Sequence, residues 1–134
     1  MRQTWKAWVA LGALNGLCAV AAGAYAAHGL KAAEPVLGAA FKTGVEYQMS
    51  HALALLAVAW MAERREGRNL NPWLARAAGL CFALGIVLFS GTLYGFGLTG
   101  EVPVRGAAPA GGTLLMLGWL LLALSPIGGR GATR

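Results

Sequence analysis

The sequence predicts an all-α protein, a polytopic membrane four-helix bundle with a short interfacial helix between helices 1 and 2. Three observations lead there. Of the 134 residues 57% are hydrophobic and only 12% charged, with mean hydropathy +0.59. Soluble domains carry about 25% charged residues, so a chain this short lacks the polar surface to cover a water-soluble globule. Four stretches, residues 8–27, 44–62, 77–99 and 107–127, are apolar and long enough to span, because a hydrocarbon core of about 30 Å takes roughly 20 helical residues. The net charge of +6 comes from basic residues in short segments between those stretches, which is a membrane orientation signal rather than a nucleic-acid surface. No nucleic-acid partner is expected. The stretches lack period-two alternation and are rich in Ala and Leu, so helices fit them better than barrel strands. They form a single integral membrane domain, 1–134, without a convincing repeat.

The first stretch follows Arg2 and Lys6 and ends at AYAAHGL. Ala24, Tyr25 and Ala26 have the A-x-A form of a signal cleavage site. The 20 uncharged residues of 8–27 exceed the about 7–15 of a secretory apolar region, so retention as a membrane helix is expected. Pro35 then opens a short segment in which Val36, Leu37, Ala40 and Phe41 share one face. That spacing suits a helix lying in the interface and ending at Lys42, with an ordinary surface turn as the alternative. The second stretch carries Glu46 near its start and His51 deeper, while the third and fourth are uncharged. In the connecting ERREGRNLNPW, Gly67 suits a helix end, Asn71 an N-cap and Pro72 the first helical position. GEVPVRGAAPAGG, before the fourth helix, is too short and too rich in Gly and Pro for a domain. Trp5, Trp8, Trp60 and Trp73 mark one aromatic interface, and Tyr25, Tyr47 and Tyr94 are candidates for the other.

Arg2, Lys6, Arg64, Arg65, Arg68, Arg76, Arg130 and Arg134 fall on one side of this arrangement, and only Lys31, Lys42 and Arg105 on the other. The positive-inside rule then places both termini and the central loop in the cytoplasm. The expected location is the cell inner (plasma) membrane.

Polar residues inside the spans carry the functional signal. Glu46, Tyr47, Gln48, Ser50 and His51 occupy the first turns of the second helix, and Tyr47 and His51, four apart, share a face. His51 lies seven residues past Gly44, about 10 Å deep at roughly 1.5 Å per residue. Ser90, Thr92, Tyr94 and Thr99 approach the outer end of the third helix, Tyr25 and His28 close the first, and residues 109–112 open the fourth. Topology thus gathers polar groups in the outer half of the bundle. The candidate ligand-binding residues are His28 at the mouth, Glu46, Tyr47, His51 deeper, Ser90 and Tyr94, since an ionisable group within a membrane is by default a functional-site candidate. A neutral imidazole both donates and accepts, which suits a lipid or quinone headgroup. The structural alternative stays open: His51 bonding Ser90 or Tyr94 across helices, Glu46 pairing with Lys42, and His28 solvated or capping. Gly12 with Gly16, and Gly91 with Gly95, have the small-xxx-small spacing of close helix packing, within the chain or between copies.

Catalytic patterns are missing. The sequence has no HExxH, CxxC or GxSxG, no phosphate-binding glycine loop and no Asp. Its His and Glu residues lack close ligand spacing for a metal, and Cys18 and Cys81 fall inside spans, where thiols are inert. No catalytic residue, metal or cofactor is expected. An intramembrane enzyme with His51 as base would need a nucleophile or metal that the pattern does not supply.

AYAAHGL, FKTGVEYQMSHALALL, FSGTLYGFGLTG and APAGGTLLMLGW together resemble the domain-of-unknown-function 423 family, the UPF0382 proteins. Family elements G-A-H-G-L, Y-Q-x-x-H-A-L, F-S-G-S-L-Y and P-x-G-G match at residues 26–30, 47–53, 89–94 and 109–112. Ala26 replaces a commoner glycine and Thr92 a serine. The match runs in order along almost the whole chain, and it implies a four-helix membrane protein without implying an activity. The combined expectation is a non-enzymatic accessory subunit, or a lipid- or quinone-binding protein, with a polar pocket in the outer half. The alternative is an oligomeric small-solute or ion transporter or channel, although the polar residues stop halfway and no broken helix is visible. Its expected partners are the lipid bilayer and either a second copy or a larger membrane complex. A reporter fused after Arg134 should read cytoplasmic and one near Glu101 external; two tags on the same side would overturn the four-span arrangement.

Overall fold

The computed structural model describes residues 4–63 and 70–127. Four helices account for nearly all of them: α1 (Thr4–His28), α2 (Pro35–Glu63), α3 (Pro72–Thr99) and α4 (Ala107–Leu124). Each packs on the next in chain order. α1, α3 and α4 are long and apolar enough to cross a membrane. α2, which carries Lys42, Glu46, Gln48, Ser50 and His51, is not among them. Its position compensates. Ten of its 29 residues are buried and nine of the 28 in α3, against three of 25 in α1 and three of 18 in α4. The two enclosed helices form the middle of the bundle and the two most exposed flank it.

The core joins Leu55 and Val58 of α2 to Phe82 and Ile86 of α3, closed by Trp8 from α1 and Leu115 from α4. The outside is equally apolar: Leu17, Val87 and Met116 are 65%, 68% and 68% exposed. A helix that is hydrophobic all round is stable only when buried or in lipid, which makes this the exterior of a helical membrane protein.

Three details depart from the expectations above. The interfacial segment is not a separate helix, because α2 runs unbroken from Pro35 through Gly44 to Glu63. The Thr43 hydroxyl donates to the Ala39 carbonyl across the expected break. Phe41, 4% exposed, is drawn into the bundle between the rings of Tyr25 and Tyr94 rather than lying in the interface. Trp8, assigned to the aromatic belt, is 8% exposed and belongs to the core. It reaches in because Gly79 offers no side chain; a Cβ there would stand 2.7 Å from the Trp8 ring. Trp60 and Trp73 remain exposed.

The helix ends follow local chemistry. Asn71 caps α3, its side-chain oxygen accepting from the Trp73 and Leu74 N–H groups at 3.0 and 3.4 Å, with Pro72 at the first position. The Asn71 N–H donates to the Ser125 carbonyl at 2.8 Å and so ties the start of α3 to the end of α4. Gly100, at φ 76°, closes α3 in the left-handed conformation that glycine adopts freely. The expected Gly67 terminus and Arg2, Arg64, Arg65, Arg68, Arg130 and Arg134 of the orientation count lie outside the described residues.

Of the four glycines expected in packing, Gly12 stands against α2, where a Cβ would be 3.0 Å from the Ala52 carbonyl oxygen. A Cβ on Gly95 would meet the Pro103 ring of the following loop, and one on Gly16 or Gly91 would meet no other part of the bundle within 4 Å. The tightest seam is between α3 and α4 instead. A Cβ on Gly111 would lie 2.5 Å from the Phe89 backbone nitrogen, and one on Gly85 3.1 Å from the Gly111 carbonyl oxygen. Helix propensity favours Ala over Gly by about 1 kcal/mol, while overpacking against backbone costs about 1–3 kcal/mol. Gly91→Ala should therefore hold or raise the melting temperature in detergent and Gly111→Ala should lower it by several degrees. An equal response of the two variants would rule out this seam.

Candidate functional site

The polar residues of α2 point in two directions. Tyr47 and His51 face α4; Gln48, about 100° further round the helix, faces α1 and α3.

On the first face, Tyr47 and His51 join Phe89 of α3 and Pro109, Gly112, Met116 and Trp119 of α4 around an open cleft of about 590 Å³. The volume is within the usual range for small-molecule sites. The His51 imidazole, 5% exposed, is fully engaged: Nδ1 lies 2.7 Å from the Tyr47 carbonyl oxygen and Nε2 3.0 Å from Trp119 Nε1. An indole N–H only donates, so Nε2 accepts, and the proton assigned to Nδ1 donates to the Tyr47 carbonyl. His51 is thereby a neutral pin between α2 and α4. Aromatic rings surround it: Tyr47 stacks at 5.9 Å and 18°, while Phe82 and Trp119 meet it at steeper angles at 5.6 and 5.8 Å. Phe89 packs on the Tyr47 ring at 4.6 Å. Tyr47 itself is 42% exposed, and among the described residues none hydrogen-bonds its hydroxyl. Thr113, also at the cleft, is occupied by the Pro109 carbonyl.

On the second face a one-way chain of hydrogen bonds crosses three helices. The Tyr94 hydroxyl donates to Gln48 Oε1 at 2.6 Å, Gln48 Nε2 to Asn15 Oδ1 at 3.1 Å, and Asn15 Nδ2 to the Leu11 carbonyl at 2.9 Å. Ser90, 1% exposed, donates to the Gly44 carbonyl at 2.8 Å. Ser90 and Tyr94 are thus bound to α2 away from the Tyr47–His51 cleft. His28 ends α1 and is exposed. Glu46 and Lys42 border a smaller cleft of about 280 Å³ between α1 and α2; among the described residues no ion pair joins them.

Asn15, Gln48 and Trp119 are the residues that sequence reasoning passed over as site members. Each left a signal. Asn15 is a lone amide inside an uncharged span, where an amide needs a partner. Trp119 sits deep in the fourth span, away from either belt. Interhelical hydrogen bonds in membranes are worth about 0.6 kcal/mol on average and up to about 1.7. Tyr94→Phe should cost about that average, whereas Gln48→Leu, which orphans both Tyr94 and Asn15, should cost two to three times as much. In unfolding measurements the double variant should cost less than the two single changes added together. Strict additivity would mean the chain is not a unit.

Comparison with known proteins agrees with this architecture. Residues 22–112 match the family described as Protein of unknown function (DUF423). The UPF0382 membrane protein YwdK of Bacillus subtilis is 39% identical over 124 residues, covering 91% of this chain and 97% of that protein. A UPF0382 membrane protein of Haemophilus influenzae is 40% identical over 87% of this chain and 90% of its own length. The UPF0382 inner membrane protein YgdD of Escherichia coli is 35% identical over 86% of this chain and 85% of its own. No solved structure matches. With a family match over the two middle helices and their flanks, and relatives aligned nearly end to end, this chain belongs to the DUF423 family of UPF0382 membrane proteins.

Proposed function

We propose that the chain is a non-enzymatic binding protein of the inner membrane that holds the ring or headgroup end of a quinone or lipid between α2, α3 and α4, by itself or as an accessory subunit. In this reading all four helices cross, both termini are cytoplasmic, and the cleft opens toward the outer leaflet. The observation that carries it is the 590 Å³ cleft walled by Tyr47, Phe89 and Trp119. Pro109 and Trp119, ten residues apart on α4, set its length at about 15 Å, enough for a flat ring and the first part of its chain. Aromatic walls suit such a ring through offset stacking. The free Tyr47 hydroxyl supplies the donor for a ligand carbonyl, while His51, engaged at both nitrogens, holds the wall in place. The side chains a transport path would need are engaged between helices: Tyr94, Gln48 and Asn15 with one another, and Ser90 with Gly44.

Gly112 provides the test. A Cβ there meets only the Phe89 ring at 3.7 Å, an ordinary contact, so Gly112→Leu fills the cleft without forcing the helices apart. Decylubiquinone titrated into the nanodisc-reconstituted protein should quench tryptophan fluorescence through Trp119. Gly112→Leu should abolish that saturable quenching at unchanged melting temperature. Tyr47→Phe should weaken binding about fivefold to tenfold, the worth of one hydrogen bond. Saturable quenching that survives Gly112→Leu would sink the proposal.

A further inference from the structure

A second site is carried by Arg76, at the opposite end of the bundle from the cleft. Arg76 lies in the second turn of α3, and its Nε is buried with no hydrogen-bond partner. Its guanidinium carbon rests 5.2 Å over the Trp73 ring, a contact that leaves the N–H fork unmatched. Buried donors in folded proteins are nearly always satisfied, so an orphan calls for an acceptor that the described residues do not supply. Among the described residues no carboxylate pairs with Arg76. Beside it a narrow groove of about 160 Å³ runs between α1 and α3, walled by Ala7, Trp8 and Leu11, with Thr4 at its end. The groove is almost wholly apolar and unsuited to water. Lys6, whose ammonium sits 5.8 Å over the Trp5 ring, brings a second cation to the same end of α1.

We infer that Arg76 and the α1–α3 groove form a site for one anionic phospholipid, with the phosphate on the guanidinium and the start of an acyl chain along Ala7, Trp8 and Leu11. The geometry matches the ligand. A guanidinium fork binds phosphate oxygens two at a time, and basic residues at a membrane surface attract anionic lipids. The apolar channel leading away from the charge fits a lipid better than a free anion. A lysine could supply charge but not the fork, and an Arg that merely reached for bulk headgroups would keep its Nε in water.

The test is native mass spectrometry of the full chain from nanodiscs of mixed phosphatidylglycerol and phosphatidylcholine. The wild type should retain one phosphatidylglycerol in preference to phosphatidylcholine. Arg76→Gln should reduce that preference about fivefold to tenfold, and Arg76→Lys should restore it in part. Ala7→Phe, which blocks the groove without touching the charge, should reduce retention as well, at an unaltered melting temperature. Equal retention of both lipids by the wild type, or an undiminished preference in Arg76→Gln, overturns the proposal. So does retention unchanged in Ala7→Phe, which would leave a headgroup contact and no chain site. Displacement of the lipid by millimolar inorganic phosphate would also overturn it, marking a simple anion site. None of these variants touches the α2–α4 cleft, so the outcome is independent of quinone binding.

Discussion

The arrangement of the bundle depends on one carboxamide. Gln48, in the most polar helix, accepts from Tyr94 of α3 and donates to Asn15 of α1. An amide left unpaired in hydrocarbon costs on the order of several kcal/mol, so α2 needs a helix on each side at that depth. This requirement puts the least lipid-compatible helix in the middle and sends α1 to the flank, where only Trp8, Gly12 and Ala19 are buried. A hydrophobic driving force between helices is weak in lipid, which leaves hydrogen bonds and close packing as the adhesives. The α1–α2 seam uses both: the Asn15–Gln48 bond and the approach at Gly12.

The α3–α4 seam uses shape alone over most of its length. Gly85 and Gly111 let the backbones meet, and Gly118 receives the Phe82 ring, which a Cβ would approach to 2.6 Å. One backbone bond, Asn71 to Ser125, pins the far end. The two halves of the chain are therefore assembled by different means. Substitutions that remove polar groups should be felt on the α1 side, and substitutions that add volume on the α4 side.

How much of this the sequence displays follows from what each signal measures. Membrane class and helix number are legible because burying four apolar stretches is a matter of composition and length. Asn71 and Pro72 are legible because a cap is chemistry among adjacent residues. Tyr47 and His51 are paired by a spacing of four, and they do share a cleft. Depth is equally readable, but direction around the helix axis is not. Ser90 and Tyr94 lie near Tyr47 and His51 in depth yet reach α2 on its other face, at Gly44 and Gln48. Trp8 has the sequence position of an interface residue and the direction of a core residue. Gly44 reads as a boundary because glycine is a poor helix former. In the folded chain it gives room to the Tyr94 ring, 3.0 Å from where its Cβ would be. Which neighbour faces a given helix side is a tertiary fact, and one chain without its partners does not encode it locally.

The chemistry of the cleft follows from how His51 is occupied. Among the described residues, its bond with Trp119 is the one side-chain hydrogen bond between α2 and α4. The imidazole gives its Nδ1 proton to the Tyr47 carbonyl and accepts from the indole at Nε2, so neither nitrogen is left for a ligand while the pin holds. What the cleft presents is the Tyr47 hydroxyl, which can donate to a ligand or accept from one. A ligand carbonyl can accept from that hydroxyl and leave the α2–α4 pin intact. A ligand hydroxyl seeking the basic nitrogen would have to displace the Trp119 indole, leaving its N–H without an acceptor in an apolar wall. The orphaned donor costs about 1–3 kcal/mol, a penalty avoided by a ligand that bonds the Tyr47 hydroxyl and leaves the pin in place.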